Sequence, residues 1–165
     1  MEAVEQQRFA ELAGRLAAGE VIRSPDVAGF GHDRSVRDRL GIVFDEFARA
    51  RIVGHLETGP QHWQDAGIVH GGTWCSLVET LAAWGAALHA SPPGSPVVAV
   101  SNNAQFVRPH GRGRVDAVAT PVDLGDRAQL WEVVIARASD GKEVARGTIR
   151  FQQLEPAVPA GATAG

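Results

Sequence analysis

The stretch GIVHGGTWCSLVETLAAWGAALH, residues 67–89, limits the possible folds more than any other. After the Gly71-Gly72 pair, apolar residues from Trp74 to Leu88 fall on nearly every face of a helix. A helix that is apolar all round is a buried one, and helical spacing from about Thr73 predicts one here. It carries one carboxylate, Glu79. A lone ionised Glu in an apolar helix is costly unless it is paired or hydrogen-bonded, which marks Glu79 as a functional candidate.

The two glycines let the backbone approach a ligand closely, and the first N–H groups of a helix have no partner within it. They form a site for negative charge or for a polarised carbonyl oxygen. From a start at Thr73, Glu79 lies roughly 9 Å along the axis, too far to serve an oxygen bound at its own helix start. If both groups act on one centre, two copies of the helix contribute to each site, which implies a two-fold dimer with composite sites.

At 165 residues the chain has the length of one domain with a substantial core. A net charge of −3 with no basic block argues against nucleic acid as a partner. The single cysteine excludes an intrachain disulfide and a Cys-based zinc site, and fits a reducing cytoplasm. The N-terminus carries acids where a signal peptide carries bases, and no apolar run is long enough to span a membrane. Neither a metal nor a separate cofactor is expected.

Residues 3–22 place Val4, Phe9, Leu12 and Leu16 at helical spacing, which predicts an amphipathic helix ended by Ser24-Pro25. A connector runs to about Leu40. Two strand-like runs follow, 41–44 and 48–56, read as an antiparallel pair turning near Asp45-Glu46. Beyond the central helix, strands are predicted at about 97–107, 114–123, 128–138 and 143–153, with Asp140-Gly141 as the strongest hairpin signal. The expectation is an α+β fold, an antiparallel sheet curled around one long helix. Its parts are an N-terminal helix and connector (1–39), a main domain (40–154) and a disordered tail (155–165).

This order and its central motif resemble the hotdog-fold thioesterase superfamily, most of all its PaaI-like branch and the Arthrobacter-type 4-hydroxybenzoyl-CoA thioesterases. Gln64, then GIVHGG at 67–72, then Glu79 nine places after His70, then SNNAQFVRP at 101–109 carry the likeness. It implies a sheet wrapped around one helix, a homodimer with composite sites that commonly pairs into a homotetramer, and an acyl-CoA as substrate. Coenzyme A is then part of the substrate.

Carried over residue by residue, the resemblance makes Gly71 the backbone donor to the thioester carbonyl and Glu79 the nucleophile or general base. His70 and Gln64 line the site from the other subunit, His70 orienting the turn or assisting the leaving thiolate. Arg108 and Arg127, beside Asp126, are candidates for coenzyme A phosphates, with Arg112 and Arg114 as looser ones. Where the Arthrobacter-type enzymes carry Thr four places after the Glu, this chain has Ala83, and Thr80 is read as pointing elsewhere. Cys75 is read as a small core residue. An acyl pocket walled by Trp63, Trp74 or Phe106 favours an aryl- or arylacetyl-CoA. The competing expectations are a hotdog hydratase or dehydratase, and a non-catalytic acyl-CoA-binding module.

Overall fold

The computed structural model describes residues 3–27, 35–90 and 94–154, and side chains from residue 7 onward. The expected tail lies outside these residues, as does the middle of the connector. Among the described residues, three α-helices and seven strands run α1 (Ala3–Ala17), β1 (Ile22–Arg23), α2 (Val36–Leu40), β2 (Ile42–Ala48), β3 (Arg51–Thr58), α3 (Gly71–Leu88), β4 (Val97–Phe106), β5 (Gly113–Leu124), β6 (Ala128–Arg137) and β7 (Glu143–Gln153). The strands form one antiparallel sheet in the order β1-β2-β3-β5-β6-β7-β4. The α+β reading, a sheet curled around one helix, is the observed architecture. None of the described helices is long and apolar enough to cross a membrane.

Strand alternation explains how α3 is held. Trp131, Val133 and Ile135 of β6, Val115, Ala117 and Ala119 of β5, and Ile52 and Leu56 of β3 all turn inward. They meet Leu77, Val78, Leu81 and Ala82 of α3, which are fully buried. Each such large side chain contributes ~1.5–3 kcal/mol of transfer free energy. Two glycines set the spacing: a Cβ on Gly85 would stand 2.5 Å from the Trp131 indole, and one on Gly147 2.8 Å from Val78. At the far end of the helix, buried Gln129 donates to the Ala86 carbonyl at 3.1 Å and accepts from the Trp131 indole N–H at 3.0 Å.

The structure corrects several boundaries. The first helix stops at Ala17, before Gly19 in the left-handed region (φ 86°), rather than running to Ser24-Pro25. The connector forms β1, which extends the sheet, and α2, capped by the Ser35 hydroxyl and ended at left-handed Gly41. The β2–β3 turn falls at Arg49-Ala50, not at Asp45-Glu46. Those two carboxylates remain inside a strand because each meets a cross-strand partner. Glu46 pairs with Arg23 and Arg51, and Asp45 with His55 at 2.7 Å. Cys75 is only half-buried.

The helix is not covered on every side. Gly72 and Glu79 are exposed, with Ser76, Thr80 and Ala83 half-buried on the same stripe. Beside it, β4 is an outer strand that pairs, among the described strands, only with β7, and Val98, Val100 and Phe106 are 41%, 55% and 58% exposed.

Candidate active site

The start of α3 is fixed by main-chain bonds. A tight loop closes through Gln64 N–H to the Ile68 carbonyl and Gly67 N–H to the Gln64 carbonyl, at 2.8 and 2.9 Å. Val69 N–H donates to the His110 carbonyl and His70 N–H to the His62 carbonyl, both at 2.8 Å. His62 is buried, accepting from Gly59 N–H and donating to the Leu40 carbonyl, so it is structural. His70 is the N-cap of α3: its Nδ1 accepts from Gly72 N–H at 2.9 Å. A free proton on this ring therefore sits on Nε2.

Among the described residues no acceptor meets the Gly71 N–H. It is an unpartnered donor at the positive end of an 18-residue helix. The Phe106 ring lies over it, so close that a Cβ on Gly71 would sit 2.7 Å from the ring. Gly71, Gln64, Trp74, Phe106, Arg108 and His110 line a cavity of about 340 Å³ at this point.

Glu79 lies elsewhere. It lines a second cavity, about 540 Å³, with Ser76, Thr80, Ala83 and Trp84 of α3 and with Ser35, Val36 and Arg37 around α2. Contrary to the expectation of a buried carboxylate, Glu79 is exposed, because none of the described elements covers this stripe. Contrary to expectation also, Thr80 shares the Glu79 cavity rather than pointing away. The Ser76 hydroxyl proton goes to the Gly72 carbonyl at 2.9 Å. Trp84, packed against Phe9, Phe44 and Phe47, is the aromatic wall here. Arg37, ion-paired to Asp38 at 2.6 Å and 5.5 Å from the Phe44 ring centre, brings a cation that sequence reasoning missed. Its nearest signal was the Ser35 cap before a short helix.

Glu79 lies eight positions after Gly71, about 12 Å along the helix. One chain therefore holds Gly71, His70 and Gln64 together at the head of α3 and keeps Glu79 on its flank.

The arginines divide as well. Arg108 borders the head cavity, and its Nη1 donates to the Glu143 carbonyl at 2.7 Å. Next to it, Arg146 grips the Glu143 carboxylate through two bonds of 2.6 Å and holds its carboxyl below the usual range. Arg127 and Asp126, both exposed, lie in the β5–β6 turn, at the end of the sheet near Gln129 and the last turn of α3. The chain does not bring them to the head cavity. Arg112 lies over Trp63, 5.5 Å from the ring centre, and Arg114 is held by Asp116 and Asp45. Of the proposed aromatic walls, Trp74 and Phe106 line the head cavity, whereas the Trp63 indole N–H donates to the Gly111 carbonyl.

Residues 66–144, which hold the helix head, Glu79 and strands β4, β5 and β6, match the family model of the thioesterase superfamily. The protein Rv1847 of Mycobacterium tuberculosis, named an esterase, is 39% identical over 118 residues, 70% of this chain and 84% of that one. Its structure superposes with a TM-score of 0.70 at 36% identity, over 74% of this chain and 98% of the other. A 1,4-dihydroxy-2-naphthoyl-CoA thioesterase of Arabidopsis thaliana is 33% identical over 100 residues, 60% of this chain and 62% of that one. The structure of a thioesterase from Haemophilus influenzae gives a TM-score of 0.71 at 26% identity, over 78% and 88% of the two chains. With the helix head, the carboxylate and the wrapped sheet all in place, the chain belongs to the thioesterase superfamily, as a thioester hydrolase of the hotdog fold.

Proposed function

We propose that the protein hydrolyses an aryl- or arylacetyl-coenzyme A to the free acid and coenzyme A, in composite sites shared by two protomers. One observation carries this reading: a fixed, unpartnered N–H at the head of α3 and a carboxylate on its flank, in separate cavities of one chain. A second copy related by a two-fold axis brings the head of one α3 to the flank of the other. The open edge of β4, with its exposed valines, is the natural surface for that pairing.

In such a site the Gly71 N–H donates to the thioester oxygen and stabilises the charge that develops there. Gln64 hydrogen-bonds near the same carbonyl. The partner protomer's carboxylate, its own Glu79, acts in one of two ways. As a base it takes a proton from water while the water oxygen bonds to the carbonyl carbon and the C–S bond breaks, releasing the thiolate. As a nucleophile it displaces the thiolate itself, and water then cleaves the mixed anhydride. Thr80 holds the water in place of the hydroxyl that Ala83 lacks. Arg108 from one end and Arg127 from the other serve the coenzyme A phosphates, and Asp126 accepts from a donor group of the nucleotide. The aryl group stacks on Trp84 in the Glu79 cavity; the Arabidopsis relative is named for an aryl-CoA.

The test is thiol release from benzoyl-, 4-hydroxybenzoyl-, phenylacetyl- and aliphatic acyl-CoAs, comparing wild type with Glu79→Gln. Wild type should favour an aryl thioester, and the variant should lose at least ~10²-fold, the lower range for a positioned acid–base group. Equal rates for the two proteins would remove Glu79 from the chemistry, and a preference for aliphatic chains would remove the aryl assignment.

A further inference from the structure

His110 is the one imidazole at the head cavity that the scheme above leaves idle, and its proton can be assigned. The Thr58 hydroxyl donates its single proton to the Gly113 carbonyl at 2.8 Å. Its 3.0 Å contact with His110 Nε2 must therefore be one in which Thr58 accepts. A second contact from Nε2, 3.4 Å to the Gly113 carbonyl, also requires a proton on that nitrogen. The neutral ring is the Nε2–H tautomer, and Nδ1 keeps its lone pair.

That lone pair has no described partner, yet Nδ1 is not among the buried unpartnered atoms, which are Arg37 Nε, Ser95 Oγ and Asn102 Oδ1. His110 as a whole is only 9% exposed, and it lines the cavity with Gly71. Nδ1 therefore keeps some accessible surface, and the cavity that His110 borders is the space beside it. Its position is fixed, since the His110 carbonyl accepts from Val69 N–H, two residues before Gly71.

The head cavity therefore offers a donor, Gly71 N–H, and a bare acceptor, His110 Nδ1, across walls made largely of Trp74, Phe106 and Val107. A thioester of coenzyme A presents the complement. Its carbonyl oxygen accepts, and beyond the sulfur and two methylenes an amide N–H donates. We propose that His110 is a positioning residue for the thioester arm, its Nδ1 accepting from an arm amide while Gly71 takes the carbonyl oxygen. This rests on the thioesterase reading above.

Two substitutions separate holding the arm from holding the fold. Gln places an N–H donor where Nε2 stands and removes the Nδ1 acceptor; Asn places an acceptor where Nδ1 stands and removes the bond to Thr58. For arm recognition, His110→Gln keeps its Tm and its kcat with phenylacetyl-CoA, while KM, and Kd for coenzyme A by calorimetry, rise ~5- to 10-fold, as one lost hydrogen bond allows. His110→Asn lowers Tm but keeps KM near wild type. In wild type, long-range imidazole nitrogen NMR should show the Nε2–H tautomer, with the Nδ1 signal shifting on addition of coenzyme A. A purely structural His110 gives the opposite result: wild-type KM and Kd for His110→Gln, and an Nδ1 signal that coenzyme A does not move. Those outcomes overturn the proposal while leaving the hydrolase reading intact. A wild-type protein that releases thiol from no member of the panel and does not bind coenzyme A overturns both.

Discussion

The head of α3 and its flank are made of different material. At the head, what is held is backbone N–H groups: Gly72 N–H by the His70 ring, His70 N–H by the His62 carbonyl, and Val69 N–H by the His110 carbonyl. What remains is a single unmatched N–H on Gly71, held rigidly without any side chain of its own. On the flank, side chains supply everything. Glu79, Thr80, Trp84 and Arg37 reach one cavity from two helices, and the carboxylate stands exposed. A donor that must meet a charge as it develops gains from being fixed beforehand, since nothing need reorganise during reaction. A carboxylate that must take a proton or form a bond needs only to be brought to the right carbonyl. In the proposed scheme the chain builds the first part completely and leaves the second to assembly.

The largest expected effect isolates the head. Proline is well tolerated at the first position of a helix, and the extended His70 (φ −65°, ψ 138°) is compatible with a following proline. Gly71→Pro therefore deletes the donor while keeping the helix start, and Gly71→Ala crowds Phe106 in the same way but keeps the donor. Thiol release should fall ~10²–10³-fold further in the proline variant than in the alanine variant, the cost of one lost oxyanion donor. Equal losses in both would mean that this glycine matters for packing alone.

The next effect tests the division itself. Gly71→Pro and Glu79→Gln are each expected to be nearly inactive as pure proteins. Unfolded together and refolded, they should regain about a quarter of wild-type activity, because half the dimers are mixed and one of their two sites is whole. No recovery would place both groups in a site built by one chain.

Sequence reasoning reached the head more completely than the flank, for a physical reason. The long helix, the four later strands and the hairpin at Asp140-Gly141, where Gly141 has φ 68°, are written in local periodicity and turn chemistry. Gly71 and His70 come from the resemblance instead, since periodicity alone starts the helix at about Thr73, two residues after its observed start. The β2–β3 turn was misplaced because Asp45 and Glu46 look like turn residues until their cross-strand partners are known. Arg37 sits on a five-residue helix, too short to show a period, and joins Glu79 only in the fold. The tautomer of His110 depends on Thr58, fifty-two positions away. An apolar helix reads as wholly buried because hydrophobicity does not say which of its faces the rest of the fold covers, and so the exposure of Glu79 is not legible in it.

A smaller effect distinguishes hydroxyls on the flank. The Ser76 proton is committed to the Gly72 carbonyl, whereas no partner is described for the Thr80 hydroxyl. Thr80→Val should lower kcat ~3- to 10-fold, the range of one hydrogen bond, with Ser76→Ala causing less. Adding Ala83→Thr to Thr80→Val should recover part of the loss by returning a hydroxyl to the cavity. A Thr80→Val enzyme with wild-type kcat would leave the water to another group.

The smallest effect concerns the joint between the two regions, His70. Its Nδ1 caps the helix through Gly72 N–H, and its other nitrogen is free of that bond. Asn offers an acceptor at nearly the same place, so His70→Asn should keep Tm within about 1 °C, whereas His70→Ala loses the cap, worth ~1 kcal/mol and a few degrees of Tm. If His70 only holds the turn, thiol release by His70→Asn stays far short of the ~10²-fold loss expected of a positioned acid. A His70→Asn protein that keeps its Tm yet falls by that factor would show the imidazole acting on the leaving thiolate. The head would then contribute a side chain to the chemistry as well as a backbone donor, and the contrast with the flank would narrow to the origin of the carboxylate.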